Sequence, residues 1–98
     1  MKPSIAAKLD QLVRRLAELN AILSTEEATR DMDQYRRLTR EHAELTPVVE
    51  RFNDYKAAEA DLTTASEMLG DPELKAFAEA EVQAAKDRME VLGAELQK

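Results

Sequence analysis

The chain has 98 residues, a formal net charge of −6, 35% charged residues and no cysteine. This length suits one domain with a modest core, and the lack of cysteine excludes a disulfide framework and thiolate chemistry. The acidic balance argues against general nucleic-acid binding, and no apolar run approaches the roughly 20 residues of a membrane span, so we expect a cytoplasmic protein with no membrane contact.

The first predicted helix covers residues 4–23. Ser4 is expected to be its N-cap, because a serine hydroxyl can accept a hydrogen bond from a free N–H of the first turn. Apolar residues then recur at alternating spacings of four and three, which is the pattern of a coiled-coil seam. The members of this seam are Ile5, Leu9, Leu12, Leu16, Leu19 and Leu23. Residues 24–30 contain no periodic apolar residue and are predicted to form a turn.

The second predicted helix, residues 31–69, is the longest and contains a proline. Its seam is Tyr35, Leu38, His42, Leu45, Val49, Phe52, Tyr55, Leu62 and Leu69. Because proline lacks a backbone donor and crowds the preceding turn, we expect one helix with a kink near Pro47. The alternative is a break, in which Thr46 caps a new helix that begins with Pro47.

A Gly-Asp-Pro segment separates the second helix from the third, which is predicted at residues 72–97. Gly70 is expected to end helix two in the left-handed C′ conformation. Asp71 is then expected to cap helix three, with Pro72 at its first position. The seam of helix three is Phe77, Val82, Ala85, Met89, Leu92 and Leu96.

Helix lengths and short turns predict an all-α fold, an elongated antiparallel three-helix coiled-coil bundle. Helix one would cover the first half of helix two, and helix three would cover the second half. All three helices would overlap only near residues 45–52. Residues 1–98 would then form a single helical domain, and since the seam pattern continues to the last residues, we expect a fragment of a longer protein.

No group of residues has the composition of a catalytic, cofactor or metal site, so we expect neither an enzyme nor a cofactor. The glycines are isolated, which excludes a phosphate-binding loop. His42 is the only histidine and lies on the apolar seam. A packed histidine is therefore a better interpretation than a metal ligand or a general base.

Basic residues are concentrated on the first two predicted helices. The candidate partner contacts are Arg14, Arg15, Arg36, Arg37 and Arg40, and we call this set the basic zone. One interpretation is a solvated face with ion pairs at helical spacing, between Arg14 and Glu18, Arg37 and Glu41, and Arg40 and Glu44. The other is a docking surface for an acidic partner or an RNA backbone.

Three segments resemble the N-terminal domain of the bacterial class I peptide chain release factor family, of the release factor one type. They are the opening residues 1–9, residues 35–45 with the sequence Tyr-Arg-Arg-Leu-Thr-Arg-Glu-His-Ala-Glu-Leu, and residues 68–74 with Met-Leu-Gly-Asp-Pro-Glu-Leu. The resemblance covers essentially all 98 residues in order, and the combination is more specific than any fragment alone. Pro47 departs from the pattern expected inside the long helix.

The resemblance implies an accessory module of a translation termination factor that recognises stop codons and triggers peptidyl-tRNA hydrolysis on the ribosome. It implies two partners, the stalk base of the large ribosomal subunit and the methyltransferase that modifies the glutamine of the family's Gly-Gly-Gln motif. The family's Pro-x-Thr and Gly-Gly-Gln motifs are absent from this sequence, so we expect this chain to be a monomeric docking module without release activity of its own.

Two other functions stay open. A stand-alone coiled-coil adaptor or homo-oligomerising structural protein would share the same helical pattern. The same domain of the sister release factor, or of a ribosome-rescue relative, would share the architecture, because stop-codon choice is determined outside these residues.

Overall fold

The structure is a computed structural model that describes residues 1–97. It contains three α-helices, which we name α1 (Pro3–Leu23), α2 (Met32–Met68) and α3 (Lys75–Leu96), and a short 3-10 helix at Glu26–Thr29. No strand occurs within the described residues. The prediction of an all-α fold with the second helix longest is therefore confirmed. Contacts divide the chain into two compact units, Met1–Glu50 and Arg51–Lys98, which are described separately.

The first unit pairs α1 with the beginning of α2. Leu9 and Leu19 form the buried part of α1, at 5% and 0% exposure, and the other seam residues of this helix are half-buried. The connection between the helices is short, and side chains late in α1 meet side chains early in α2, so the two helices are antiparallel. The predicted seam of the first helix is confirmed.

The start of α1 differs from the prediction. The helix begins at Pro3 with Lys2 as its N-cap, and no side chain caps it. The carbonyl of Lys2 accepts hydrogen bonds from the N–H groups of Ile5 and Ala6, both at 3.1 Å. Proline suits the first helical position because its φ is preset and it has no N–H to satisfy. The expectation that Ser4 caps the helix was wrong, since Ser4 already lies inside it.

The start of α2 agrees with the expected beginning near Asp31. The Asp31 side chain accepts a hydrogen bond from the N–H of Gln34 at 3.1 Å, and its carbonyl accepts one from Tyr35 at 2.9 Å. The side-chain bond satisfies one of the N–H groups that every helix leaves free at its first turn, and the carbonyl bond is the first backbone hydrogen bond of the helix itself.

The helix α2 continues through Pro47 as one α-helix. The Thr46 hydroxyl donates to the carbonyl of His42 at 2.7 Å, which is the bond of a threonine inside a helix and not of an N-cap. The alternative of a break at Pro47 was therefore wrong. The kink near Pro47 stays a prediction.

The second unit pairs the remainder of α2 with α3. Its core combines two aromatic side chains with small ones: Phe52, Tyr55, Ala58, Ala65, Ala78 and Ala85 are each 0–6% exposed. Cross-helix contacts run from Arg51 with Glu95 to Asp61 with Arg88, so the two helices are antiparallel. Alanine at the seam lets two helices approach closely.

The seam of α3 differs at its first member. Phe77 is 58% exposed, whereas its neighbour Ala78 is fully buried. From Ala78 to Leu96 the buried and half-buried residues follow spacings of four, three, four, three and four, with buried Gly93 as an additional member beside Leu92. The assignment of Phe77 to the seam was wrong, because it required an interval of five residues before Val82.

The connection between α2 and α3 also differs from the prediction. No glycine in the described residues has positive φ, so Gly70 does not form a left-handed cap. Instead, the N–H groups of Leu69 and Gly70 donate to carbonyls three residues earlier, at 3.3 and 3.4 Å. The helix thus ends by tightening its last turn.

Helix α3 begins three residues later than expected. Asp71 accepts a hydrogen bond from the N–H of Glu73 at 2.9 Å, but this bond closes a turn that precedes α3. The N-cap of α3 is Leu74, which makes no side-chain capping bond. The prediction that Asp71 caps the third helix was wrong, although its side chain does satisfy a local donor in the way an Asx turn does.

Candidate partner-binding surface

The chain's charge is distributed unevenly along the sequence. Residues 1–50 contain eight lysines and arginines and nine acids, whereas residues 51–98 contain six and eleven. The formal charge is therefore −1 on the first half and −5 on the second. The basic zone lies in the first unit, on α1 and the first part of α2.

Arg15 is the member of the basic zone that joins the two helices. Its Nε and Nη2 donate to the two carboxylate oxygens of Glu41 at 2.7 and 2.9 Å, and its Nη1 donates to Glu18 at 3.1 Å. The Arg15 guanidinium holds the pKa of the Glu41 carboxyl below its usual range, mainly through these hydrogen bonds. Since its donors are already engaged, Arg15 orients α1 against α2 and is a poor candidate for a partner contact.

The remaining arginines are exposed and are weakly paired or unpaired. None of the three helical pairs expected from the sequence forms in the described residues. Arg15 takes Glu18 and Glu41, the partners expected for Arg14 and Arg37, whereas Glu44 is in no ion pair there. Within residues 1–97, no carboxylate oxygen lies within 4.0 Å of a guanidinium nitrogen of Arg14, Arg37 or Arg40. Arg36 meets Asp33 only at 3.9 Å, and both side chains are largely exposed, so this pair adds little.

The helical geometry groups these free arginines. Arg36 and Arg40 are four residues apart and therefore share one face of α2. Arg37 is four residues before Glu41, which places it one turn away from the pair with Arg15. The basic zone thus consists of Arg15 as a link between the helices and four exposed arginines, of which Arg14 lies on α1 and Arg36, Arg37 and Arg40 lie on α2. These groups can bind carboxylates or phosphates with two parallel hydrogen bonds each.

His42 is half-buried and is hydrogen-bonded across the helices. Its Nε2–H donates to the side-chain oxygen of Asn20 at 2.7 Å. The interpretation of His42 as a packed histidine is confirmed. Within residues 1–97, no three His, Cys, Asp or Glu side chains are arranged to hold a metal ion. In the same residues, no helix is sufficiently long and apolar to cross a membrane.

A groove between α2 and α3 was not anticipated from the sequence. It has a volume of about 580 Å³ and is lined by Asp54, Ala57, Ala58, Asp61, Asp87, Arg88, Val91 and Leu92. Val91 is 59% exposed, which is unusual for a large apolar side chain. Two features of the sequence could have indicated this groove. Val91 is a large apolar residue directly beside the seam member Leu92, and the residues of α2 that line the same hollow include Ala57 and Ala58.

Comparison with known proteins identifies the family. The PCRF domain model matches residues 12–98. The peptide chain release factor 1 proteins of Paraburkholderia phytofirmans and Polynucleobacter asymbioticus are each 58% identical to this chain over 98 residues. That alignment covers 100% of this chain and 27% of each relative, in their N-terminal region. No solved structure matches the chain. Because the family model covers most of the sequence, the chain belongs to the PCRF domain family.

Proposed function

We propose that this chain is the accessory N-terminal domain of a bacterial translation termination factor and acts there as a docking module. The observation that carries the proposal is 58% identity over all 98 residues to the release factor 1 relatives. Since the chain spans only 27% of their length, stop-codon recognition and peptide release belong to the remainder of such a protein. The module itself supplies binding and no catalytic group.

Within this proposal, the ribosome and the release factor methyltransferase are the partners, both in the cytoplasm. The basic zone is the docking surface, because the guanidinium groups of Arg14, Arg37 and Arg40 are free of carboxylates within residues 1–97. Arginine binds the phosphates of RNA and the carboxylates of proteins through paired hydrogen bonds, so this surface suits either kind of contact on the ribosome.

The test is binding of the isolated chain to large ribosomal subunits, measured by cosedimentation at several salt concentrations. We expect the chain to sediment with large subunits and not with small ones. Arg37→Glu combined with Arg40→Glu should weaken binding at least tenfold, because these changes replace attraction by repulsion. The matched control is Lys75→Glu with Lys86→Glu, which changes the formal charge equally but lies in the second unit, and it should bind as the parent chain does.

Two outcomes would refute parts of the proposal separately. Equal binding by both charge-reversed variants would remove the basic zone as the docking surface. Failure of the parent chain to bind either ribosomal subunit or the methyltransferase, together with concentration-dependent self-association, would instead favour the structural adaptor. The salt dependence identifies the partner's chemistry, since phosphate contacts release counterions and give a steep slope.

A further inference from the structure

The groove between α2 and α3 continues along the helices beyond the hollow already described. A second hollow of about 230 Å³ adjoins it and is lined by Asp61, Thr64, Ala65, Met68, Phe77, Glu81 and Arg88. The two hollows share Asp61 and Arg88, so they lie on the same side of the helix pair. From Asp54 to Met68 the groove follows 15 residues of α2, whose 14 rises of about 1.5 Å make it about 21 Å long.

The lining of the first hollow is mainly apolar, and small side chains give the groove its depth. Alanines at 57, 58 and 65 on α2 leave room where larger residues would fill the space. Two large apolar side chains stand at the open edge, Phe77 at 58% exposure and Val91 at 59%. These two side chains give the groove an apolar edge, and burial of that edge against a partner would be favourable.

Carboxylates dominate the rim. Asp54 and Asp87 line the first hollow and Glu81 lines the second, and none of them is in an ion pair within residues 1–97. Arg88 is the one cation among the lining residues, and Asp61 neutralises it at 3.0 Å. Both members of this pair are about half exposed, so the pair stabilises the fold little and can rearrange when a partner's cation approaches.

We propose that this groove binds a basic amphipathic helix of a partner protein, with the apolar face of that helix on the alanines and its lysines or arginines against Asp54, Asp61 and Glu81. A groove about four helical turns long between two helices has the length that the helix-in-groove mode of recognition requires. The opposite charges would orient the partner and select it.

The charges also argue against other occupants. Residues 51–98 carry a formal charge of −5, so a second copy of this surface would bring like charges together. Nucleic acid and anionic lipid would be repelled for the same reason. The groove lies in the second unit, whereas the basic zone lies in the first, so this inference goes beyond the proposed ribosome contact and can fail independently of it.

The probe is a pair of fluorescein-labelled 15-residue peptides with leucine at the a and d positions. One peptide has lysine at its polar positions and the other has glutamate. Binding to the 98-residue chain is measured by fluorescence anisotropy, and the bound surface is mapped by amide chemical shifts in NMR. We expect the lysine peptide to bind with shifts concentrated at Ala57, Ala58, Val91 and Leu92, and the glutamate peptide to bind at least tenfold more weakly.

Matched variants separate the groove from general attraction to an acidic protein. Asp54→Lys with Glu81→Lys should weaken binding of the lysine peptide at least tenfold, and Val91→Asp should do the same by placing a charge at the apolar edge. Glu79→Lys with Glu90→Lys changes the net charge equally, outside the groove, and should weaken binding less than threefold. All substituted residues are exposed, and unchanged circular dichroism and melting verify the fold of each variant.

Four results would overturn the inference. Equal loss of binding in both charge variants would mean that only net charge attracts the peptide. Equal binding of the two peptides, or amide shifts confined to residues 1–50, would place the contact elsewhere. Dimerisation of the parent chain without peptide, abolished by Val91→Asp, would show that a second copy occupies the groove.

Discussion

Within the described residues, Arg15 and Glu41 form the one bidentate ion pair between α1 and α2. The Nε–Oε2 distance is 2.7 Å and the Nη2–Oε1 distance is 2.9 Å. The guanidinium group is planar and donates two parallel hydrogen bonds to one carboxylate, which the ammonium group of lysine cannot do. The pair also removes Glu41 as a partner for Arg37, one turn earlier on α2. The same contact that joins the two helices therefore leaves a free guanidinium on the surface.

The first prediction concerns the pH dependence of this pair. Arg15 lowers the pKa of Glu41 from its ordinary value of 4.5, so the ionised pair stabilises the fold above that pH, and the contribution is lost as pH falls through the lowered pKa. Glu41→Gln should melt at a lower temperature than the parent at pH 7. The difference should shrink below pH 4.5 and disappear once Glu41 is protonated.

The control for this measurement is Glu44→Gln, on the same helix. Glu44 is exposed and has no ion pair within residues 1–97, so its removal should leave the melting temperature unchanged at both pH values. A pH-independent difference between Glu41→Gln and the parent would mean that the glutamate acts through packing and not through its charge.

The second prediction concerns Gly93 in the last turns of α3. Glycine in a helix costs about 0.5–1 kcal/mol relative to alanine. A Cβ atom at this position would lie 3.6 Å from Cε2 of Tyr55, which is an ordinary contact distance. Gly93→Ala should therefore raise the free energy of unfolding by about 0.5–1 kcal/mol in urea titrations. Gly93→Leu, which has no room beside Tyr55, should lower it by about 1–3 kcal/mol.

The third prediction follows from the absence of a left-handed glycine in the described residues. Because Gly70 has an ordinary backbone conformation and a Cβ would meet only the carbonyl of Glu67 at 3.6 Å, alanine fits there without strain. Gly70→Ala should be neutral or should stabilise by up to about 1 kcal/mol through the lower entropy of the unfolded chain. A loss of stability on thermal denaturation would indicate the left-handed cap that the sequence suggested.

The sequence predicted most of the helical register because leucine spacing alone determines which face is buried. In α1 every predicted seam residue is buried or half-buried. The pattern is weaker where alanine replaces leucine. The last three members of the predicted seam of α2 were Tyr55, Leu62 and Leu69. That prediction missed two buried alanines that lie between them, Ala58 and Ala65. Alanine is common both on protein surfaces and in protein cores. Whether an alanine is buried therefore depends on the neighbouring helix and cannot be predicted from the residue type alone.

The candidate sites were harder to predict than the fold for a related reason. Helical spacing permits both Arg14 and Arg15 to reach Glu18, and it permits both Arg15 and Arg37 to reach Glu41. Only the position of α1 against α2 decides between these pairs, and it favours Arg15 in both cases. The groove of the second unit likewise arises from how two helices meet at alanines, which no property of a single helix indicates.

The last prediction compares two phenylalanines that the sequence placed alike on seams. Phe52 is 4% exposed, and the ammonium of Lys56 lies 4.7 Å from its ring centre, whereas Phe77 is 58% exposed. Phe52→Ala should lower the free energy of unfolding by about 3–5 kcal/mol, because it removes a buried ring and leaves a cavity. Phe77→Ala should change it by less than about 0.5 kcal/mol, as surface substitutions usually do. Chemical denaturation of both variants measures the contrast, and a similar loss in the two would mean that Phe77 is covered in solution. The purified chain has no partner protein present, so such a result would indicate that a second copy of the chain covers the groove that Phe77 borders.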